Sequence, residues 1–541
     1  MQQDMIGNVD VDVQNTSVLH RGFLASCAAL PDARALEIGG ARYTYRELRA
    51  AAVRFASAAA GSDDEAHTAI GIFADHSLSA YAGILGTLMA GATYVPLNRR
   101  FPPARNARML ELAGAKAVVV DERCARQAMQ SFELMSAHPA IIWGPDVTTA
   151  TKADWRGRVL EIGHETTAQY TESHTLGDRP AYLLFTSGTT GMPKGVPVSH
   201  ANALHYVHSI TSRFPIVATD RCSQTFDLTF DLSVHDMFVT WNAGACLVIP
   251  GTTDLLTPVK YASDNALTVW FSVPSLAALA ARRNALTPGR LPALRLSQFC
   301  GEALPSQIAQ AWAAAAPASV VANLYGPTEL TIACLTHVFS PEQPDDLRGF
   351  VPIGRPLNGL GCTLIDVDTE TGSARESGDS QGELYVCGPQ TVAGYWRDAE
   401  RTAERFITLD CSDGVRRVFY RTGDIVARKA DGIYRFVGRA DTQVKVGGYR
   451  IELGEIDGAL ATYPSVAQCA TVAWPTAPAA HESLVAFIVC AGEIDESALR
   501  SFLRERLPDY MQPKRIVQLE ALPLNSNGKI DRAVLAATLS Q

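Results

Sequence analysis

The sequence predicts an α/β protein. A large N-terminal part should consist of parallel-rich sheets covered by helices, followed by a small, mobile α+β part. Three observations predict this. The chain has 541 residues, 47% of them hydrophobic and only 19% charged, enough for a large core and too long for one ordinary domain. Residues 104–180 alternate helical patterns with short apolar runs such as 117–120 and 141–143, the signature of strands crossed over by helices. Near Asp441 the character changes to short, closely spaced elements over about 100 residues, the size of an independent unit. The expected division is a poorly ordered tail at 1–16, a core at 17–440 and a separate unit at 441–541.

The elements follow in order. Residues 43–48 open a helix with Thr44 as its cap, and a second helix over 77–89 carries Tyr81, Ile84, Leu85 and Leu88 on one side. Ser199 should cap a helix carrying Leu204, Val207 and Ile210. Residues 268–279 read as strand, turn and helix, and 298–302 as a strand ending at Gly301. In the last 100 residues, helices are expected near 455–462 and 496–507, strands near 470 and 484–490, and a turn at Gly447-Gly448.

Composition excludes several classes. A net charge of −9 argues against a nucleic-acid surface. No unbroken apolar run of about 18 residues suggests a membrane span, and the start does not read as a signal peptide. The 11 cysteines are scattered without a CxxC pair, which fits a reduced cytoplasm better than a disulfide framework or zinc site.

The chemistry concentrates in residues 183–196, LLFTSGTTGMPKGV. An apolar strand feeds Thr186, Ser187, Gly188, Thr189, Thr190 and Gly191, with Lys194 closing the loop. Glycines let the backbone approach an anion, and amides, hydroxyls and the lysine can surround phosphate oxygens. The spacing is not the Walker pattern. Further on, FDLTFDLSVHDMF (226–238) sets Asp227 and Asp231 among apolar residues, where an unpaired carboxylate costs several kcal/mol. NLYGPTE (323–329) offers an amide for an adenine edge (Asn323), a stacking face (Tyr325), a close approach (Gly326), a hydroxyl for the α-phosphate (Thr328) and a carboxylate suited to magnesium (Glu329). YRTGD (420–424) and GRAD (438–441) add Asp424 as a ribose acceptor and Arg439 as a fork of donors.

Taken together, these motifs resemble, in order and over about residues 20–535, the adenylate-forming enzymes: acyl-CoA synthetases, luciferases and the adenylation domains of nonribosomal peptide synthetases. The resemblance implies two steps. A carboxylate is first activated with ATP and Mg2+ to an acyl-AMP, and the acyl group then passes to a phosphopantetheine thiol. It implies nucleotide contacts from the 187–191 loop, Gly301, Asn323, Tyr325, Gly326, Thr328, Asp424 and Arg439, and metal binding by Glu329. Thr186, Lys194 and Lys529, the last in NSNGKIDR (525–532), would act at the reacting phosphates. It also implies a hinge at Asp441, about which the C-terminal unit swings to exchange Lys529 for the loop around Gly448 and Tyr449. Gly447 stands where the family usually has a basic residue.

The FDxSV match places Asp231 where peptide-synthetase domains receive the substrate's α-ammonium. By the same resemblance the pocket walls are Leu232, His235, Phe271, Gln298, Cys300, Leu324, Ile332 and Ala333. These residues hold no further charge, which favours a neutral small-to-medium amino acid, with an imino acid such as proline also accommodated. The sequence ends 12 residues after Lys529 with no carrier motif, so a free-standing enzyme loading a separate carrier protein in natural-product biosynthesis is expected. Arg504, Arg506, Lys514 and Arg515 would suit an acidic carrier, and a small helper protein is a further candidate partner. Three alternatives stay open: an acyl- or aryl-CoA ligase, an amide ligase, and a non-catalytic nucleotide-binding protein.

Overall fold

The computed structural model describes residues 18–60, 68–162, 177–187, 193–342, 349–367, 374–376, 381–411, 414–475, 483–490, 492, 494–524 and 530–540. The tail expected at 1–16 and the loop residues Gly188, Thr189, Thr190 and Gly191 lie outside them, as does Lys529.

Two helix-covered sheets dominate the large part. In the first, the strands Ala140–Trp143, Ala115–Val120, Ala69–Phe73, Thr93–Pro96 and Pro180–Thr186 run parallel, and Lys194–Ser199 closes the edge antiparallel. The second has a parallel centre, from Val320–Tyr325 through Leu296–Phe299, Val269–Ser272, Arg221–Ser223 and Cys246–Ile249 to Arg34–Ile38, with antiparallel strands at both edges. Strands buried on both faces read as the apolar runs seen in the sequence: Ala69–Phe73 and Ala140–Trp143 are buried throughout. A third sheet, from Gly361–Val367 to Tyr434–Arg439, is wholly antiparallel among the described residues.

Helix starts follow their capping chemistry. Ser199 and Asn202 form a reciprocal capping box at the head of His200–Arg213. Glu47 accepts from the Thr44 amide (2.8 Å) while its own amide donates back to the Thr44 hydroxyl (3.2 Å), starting Tyr45–Ala60. The helix expected over 77–89 runs Leu78–Met89 from a Ser77 cap. It is not one-sided, because every residue from Ser79 to Met89 is buried. Gly83 faces Val119 of the sheet, and a Cβ on Gly86 would sit 2.6 Å from the Ala52 carbonyl oxygen and the Phe55 Cβ, so the neighbouring helix packs on the opposite side.

After Asp441 come the hairpin Gln443–Val446/Tyr449–Glu452 and a three-stranded sheet of Val466–Trp474, Ser483–Cys490 and Arg515–Gln518. Helices Leu453–Ala461, Glu496–Arg504 and Arg532–Ala537 accompany them, the middle one ending three residues earlier than the 496–507 pattern suggested. The hairpin turn is Gly447-Gly448, with φ of +59° and +82°. Two consecutive residues at positive φ are the two-residue turn that suits the twist of paired strands.

Candidate functional site

The site is built where strand ends from both large sheets meet the C-terminal hairpin. Thr186 pairs in register with Lys194, so the strands on either side of the glycine- and hydroxyl-rich segment are antiparallel neighbours. Among the described residues the Thr186 hydroxyl is buried without a partner, and the Ser187 hydroxyl donates to the Arg450 carbonyl oxygen at 2.8 Å. Lys194 reaches Glu329 Oε1 at 3.2 Å. Burial lowers its ammonium to about 8, although Glu329 pulls the other way.

Strand Val320–Tyr325 delivers NLYGPTE to the same place. Asn323 Nδ2 donates to the Val351 and Pro352 carbonyls at 3.2 and 2.9 Å, leaving its buried Oδ1 without a partner. Tyr325 donates its hydroxyl to Asp424 Oδ2. Gly326 is required by packing, since a Cβ there would meet the Ala333 Cα at 2.6 Å. Glu329 is fully buried: Tyr395 donates to Oε1 at 2.8 Å, and Arg450 holds Oε2 at 2.8 Å. Burial alone would raise this carboxyl, but Arg450 and Lys194 outweigh it and hold it well below the usual range.

Past Glu329 the backbone is strained. Thr331 and Ile332 both take positive φ (+56° and +71°), which a β-branched residue adopts at a cost of about 1–3 kcal/mol. Gln390 holds the turn. Its side-chain amide donates to the carbonyls of Leu330, Thr331 and Ala333, and its main-chain carbonyl accepts from the Thr331 hydroxyl at 2.6 Å. The strain aims the Ile332 amide at Asp231 Oδ2, 3.1 Å away.

Asp231 begins the irregular helical stretch through Leu232–Val234 and the π-turn His235–Val239. It is 6% exposed, and among the described residues no lysine or arginine pairs with it. Burial pushes its carboxyl up to about 6, against the opposing pull of the Ile332 amide and the Thr328 hydroxyl. Thr328 therefore stands beside Asp231 and lines the same cavity. Asp227 is satisfied locally, by Asn98 Nδ2 at 2.7 Å and the Thr229 amide at 2.9 Å.

A cavity of about 90 Å³ opens beside Asp231. Leu232, Cys300 and Ile332 line it, as expected. His235, Phe271, Gln298 and Ala333 do not: they are buried behind it. The His235 ring lies 4.2 Å from Phe271 and its Nδ1 is 2.7 Å from the Tyr206 hydroxyl, so these groups close the floor. Burial lowers the imidazole to about 3, keeping it neutral. Leu324 faces the neighbouring, larger cavity of about 380 Å³, which Asn323, Tyr325, Asp424 and Arg439 also line. Gly301, at φ +94°, borders both. Asp424 and Arg439 sit in register on adjacent strands and pair at 2.5 Å, and Arg439 also holds Asp441 at 2.6 Å.

The C-terminal hairpin is docked into this cleft. The Gly448 amide donates to Glu302 Oε1 at 2.6 Å, and a Cβ there would meet Val273 at 2.5 Å, so the turn approaches closely. Tyr449 stacks on Tyr510 at 3.9 Å and meets Phe230 edge-on at 5.0 Å. A buried pair, Arg105–Glu455, ties the two parts together. Lys445 lines both cavities, its ammonium lowered by burial against the pull of Asp424. Sequence reasoning misses Lys445, Arg450, Tyr510 and Gln390. The period of two in QVKV puts Gln443 and Lys445 on one face, but nothing local says what that face meets. In this arrangement Glu329, expected to hold magnesium, does not fit a metal, because Lys194, Tyr395 and Arg450 occupy both its oxygens. Among the described residues, no group of three His, Cys, Asp or Glu could hold one elsewhere. No helix among them is long and apolar enough to cross a membrane.

These features define an adenylate-forming ligase, a class that uses ATP, and comparison with known proteins agrees. The profile described as "AMP-binding enzyme" matches residues 23–396, and "AMP-binding enzyme C-terminal domain" matches 455–529. The chain belongs to the AMP-binding enzyme family and is of the type found as adenylation domains in nonribosomal peptide synthetases. It is 32% identical to tyrocidine synthase 3 of Brevibacillus parabrevis, over 99% of this chain and 8% of that one. It is equally identical to a dimodular nonribosomal peptide synthase of Bacillus subtilis, over 94% of this chain and 20% of that one. The chain thus spans a small fraction of these relatives. Among solved structures, the Vibrio cholerae adenylation domain AlmE in complex with glycyl-adenosine-5'-phosphate matches with a TM-score of 0.86 and 30% identity, covering 99% of this chain and 100% of that one.

Proposed function

We propose that this chain activates a small neutral amino acid as its aminoacyl-AMP and transfers it to the phosphopantetheine thiol of a carrier protein. The observation that carries the reading is Asp231. It is a buried carboxylate with no cationic partner among the described residues, kept short of full compensation, and it lines a small cavity beside Leu232, Cys300 and Ile332. An α-ammonium is the partner it lacks. A fatty or aryl acid would leave it unpaired, at a cost of several kcal/mol.

The roles follow from position. Adenine would lie against Tyr325 with its amino group on Asn323 Oδ1, and Asp424 would take the ribose hydroxyls. Thr186, Ser187 and Lys194 would hold the phosphates with the 188–191 loop. The substrate carboxylate attacks the α-phosphorus in line, and the bond to pyrophosphate breaks. Lys529 is assigned the charge developing there. Residues 441–541 then act as a lid turning at Asp441. The position seen here, with Gly448 and Tyr449 in the cleft, is the one suited to thiol attack on the acyl carbon with AMP leaving. The exposed Arg504, Arg506, Lys514 and Arg515 would favour an acidic carrier.

Size is limited by the cavity of about 90 Å³ and by the closed floor of His235 and Phe271. AlmE, crystallised with a glycyl adenylate, supports the small end of the range. Amino-acid-dependent exchange of pyrophosphate into ATP tests this across all neutral amino acids and proline. Glycine, alanine or another small residue should give the highest rate. A best substrate as large as phenylalanine, or no exchange with any amino acid, would overturn the assignment.

A further inference from the structure

Glu329 and the lid hairpin meet in a way that the adenylation chemistry leaves unused. Oε1 of Glu329 is filled by the Lys194 ammonium and the Tyr395 hydroxyl, both from the large part of the molecule. Oε2 is filled by Arg450 Nη1 at 2.8 Å, and Arg450 belongs to the hairpin. The guanidinium is 15% exposed and the carboxylate 0%. The Arg450 backbone is anchored at the same place, its carbonyl oxygen by Ser187 and the neighbouring turn by Glu302. A hard divalent ion binds a carboxylate oxygen at about 2.0–2.1 Å. It would need the oxygen that Arg450 holds, and in a buried site the two like charges repel strongly.

We propose that Arg450 is a positioning residue that takes the place of the divalent cation on Glu329, so that metal binding and hairpin docking exclude each other. The hairpin carries its own cation into the site. With the metal bound through Glu329, the guanidinium has no counter-charge and the hairpin is displaced. With the metal gone, Arg450 restores the charge balance and fixes Gly448 and Tyr449 in the cleft. Each event weakens the other by the same factor, as linkage requires. The lid is thereby told which half-reaction is due by the charge on one carboxylate. The thioester-forming arrangement is one in which Glu329 holds no metal.

This rests on the adenylation reading only for the choice of nucleotide. The test uses the full chain saturated with α,β-methylene-ATP, a non-cleavable analogue, and Mn2+ as a spin probe. No amino acid is present, so neither readout depends on substrate identity, and failed amino-acid exchange would be a separate result. Adding Mn2+ should raise amide hydrogen exchange over residues 443–452 about tenfold above the nucleotide-only level. In Arg450→Met, Mn2+ counted by electron paramagnetic resonance should bind several-fold more tightly, because its competitor is gone. Exchange in that hairpin should no longer respond to Mn2+. Arg450→Lys, which keeps the charge, should retain the Mn2+-dependent response and guards against a misfolded methionine variant. Hairpin protection unchanged by Mn2+ in the natural protein would overturn the proposal. So would Mn2+ affinity in Arg450→Met no tighter than in the natural protein.

Discussion

Two carboxylates are buried within the same cleft, and they are treated in opposite ways. Glu329 has two cations and a tyrosine hydroxyl, and its carboxyl is held well below its usual range. Asp231 has a strained amide and a hydroxyl but no cation, and burial pushes it up to about 6. Desolvation is the first cause acting on both, so the difference lies entirely in what surrounds them. Glu329 is complete with the hairpin docked, because Arg450 of that hairpin holds one of its oxygens. Asp231 has no cation to complete it among the described residues.

Replacing either carboxylate sharpens that contrast. Glu329→Gln strands Lys194 and Arg450 without a counter-charge and should destabilise the protein by about 3–5 kcal/mol in urea unfolding. A loss below about 1 kcal/mol would mean that the three groups do not act as a buried ion cluster. Asp231→Asn should do the reverse. A carboxyl at about 6 in the folded state against 3.8 in the unfolded state ionises first when unfolded, so stability falls as pH rises from 4 to 6. Above pH 6 the whole penalty, about 3 kcal/mol, is present, and below pH 4 it is absent. Asp231→Asn should therefore melt higher than the natural protein at pH 7 and no higher at pH 4. Equal melting at both values would show that Asp231 is already compensated.

The interdomain pair gives a smaller effect. Glu455→Gln removes the partner of Arg105 only in the docked position, so transfer to the thiol should slow by about tenfold, or 1.4 kcal/mol, with adenylate formation unchanged. Equal slowing of both steps would make the pair structural. Gly447→Ala is the smallest change. It forces an alanine to φ +59° in open space and should cost about 1 kcal/mol, whereas Gly447→Asn, which tolerates that region, should cost less.

The same contrast marks what sequence can show. Local chemistry was legible: the caps at Thr44 and Ser199, the strand that ends at Thr186, the paired glycines of the C-terminal hairpin turn. What escaped were contacts made across the chain. Arg450 meets Glu329 across 121 residues and Gln390 braces Ala333 across 57, and no period or motif encodes those distances. The helix Leu78–Met89 reads as one-sided because Tyr81, Ile84, Leu85 and Leu88 fall on one side at helical spacing, a pattern that does not mark Gly83 and Gly86 as contacts. In the fold they are where a sheet and a helix come close from both sides. Of the residues the motif assigns to the pocket, His235, Phe271, Gln298 and Ala333 are buried and do not line the cavity beside Asp231, with His235 packed against Phe271.

The most direct measurement compares amino acids with their deamino counterparts, carboxylate and side chain held constant, in pyrophosphate exchange by the natural protein and by Asp231→Asn. The natural protein should favour the amino acid over its counterpart by about 100-fold or more, and the variant should lose most of that preference while still binding ATP. Equal exchange with both acids in the natural protein, or an undiminished preference in Asp231→Asn, would contradict the claim that this carboxylate receives the substrate's ammonium.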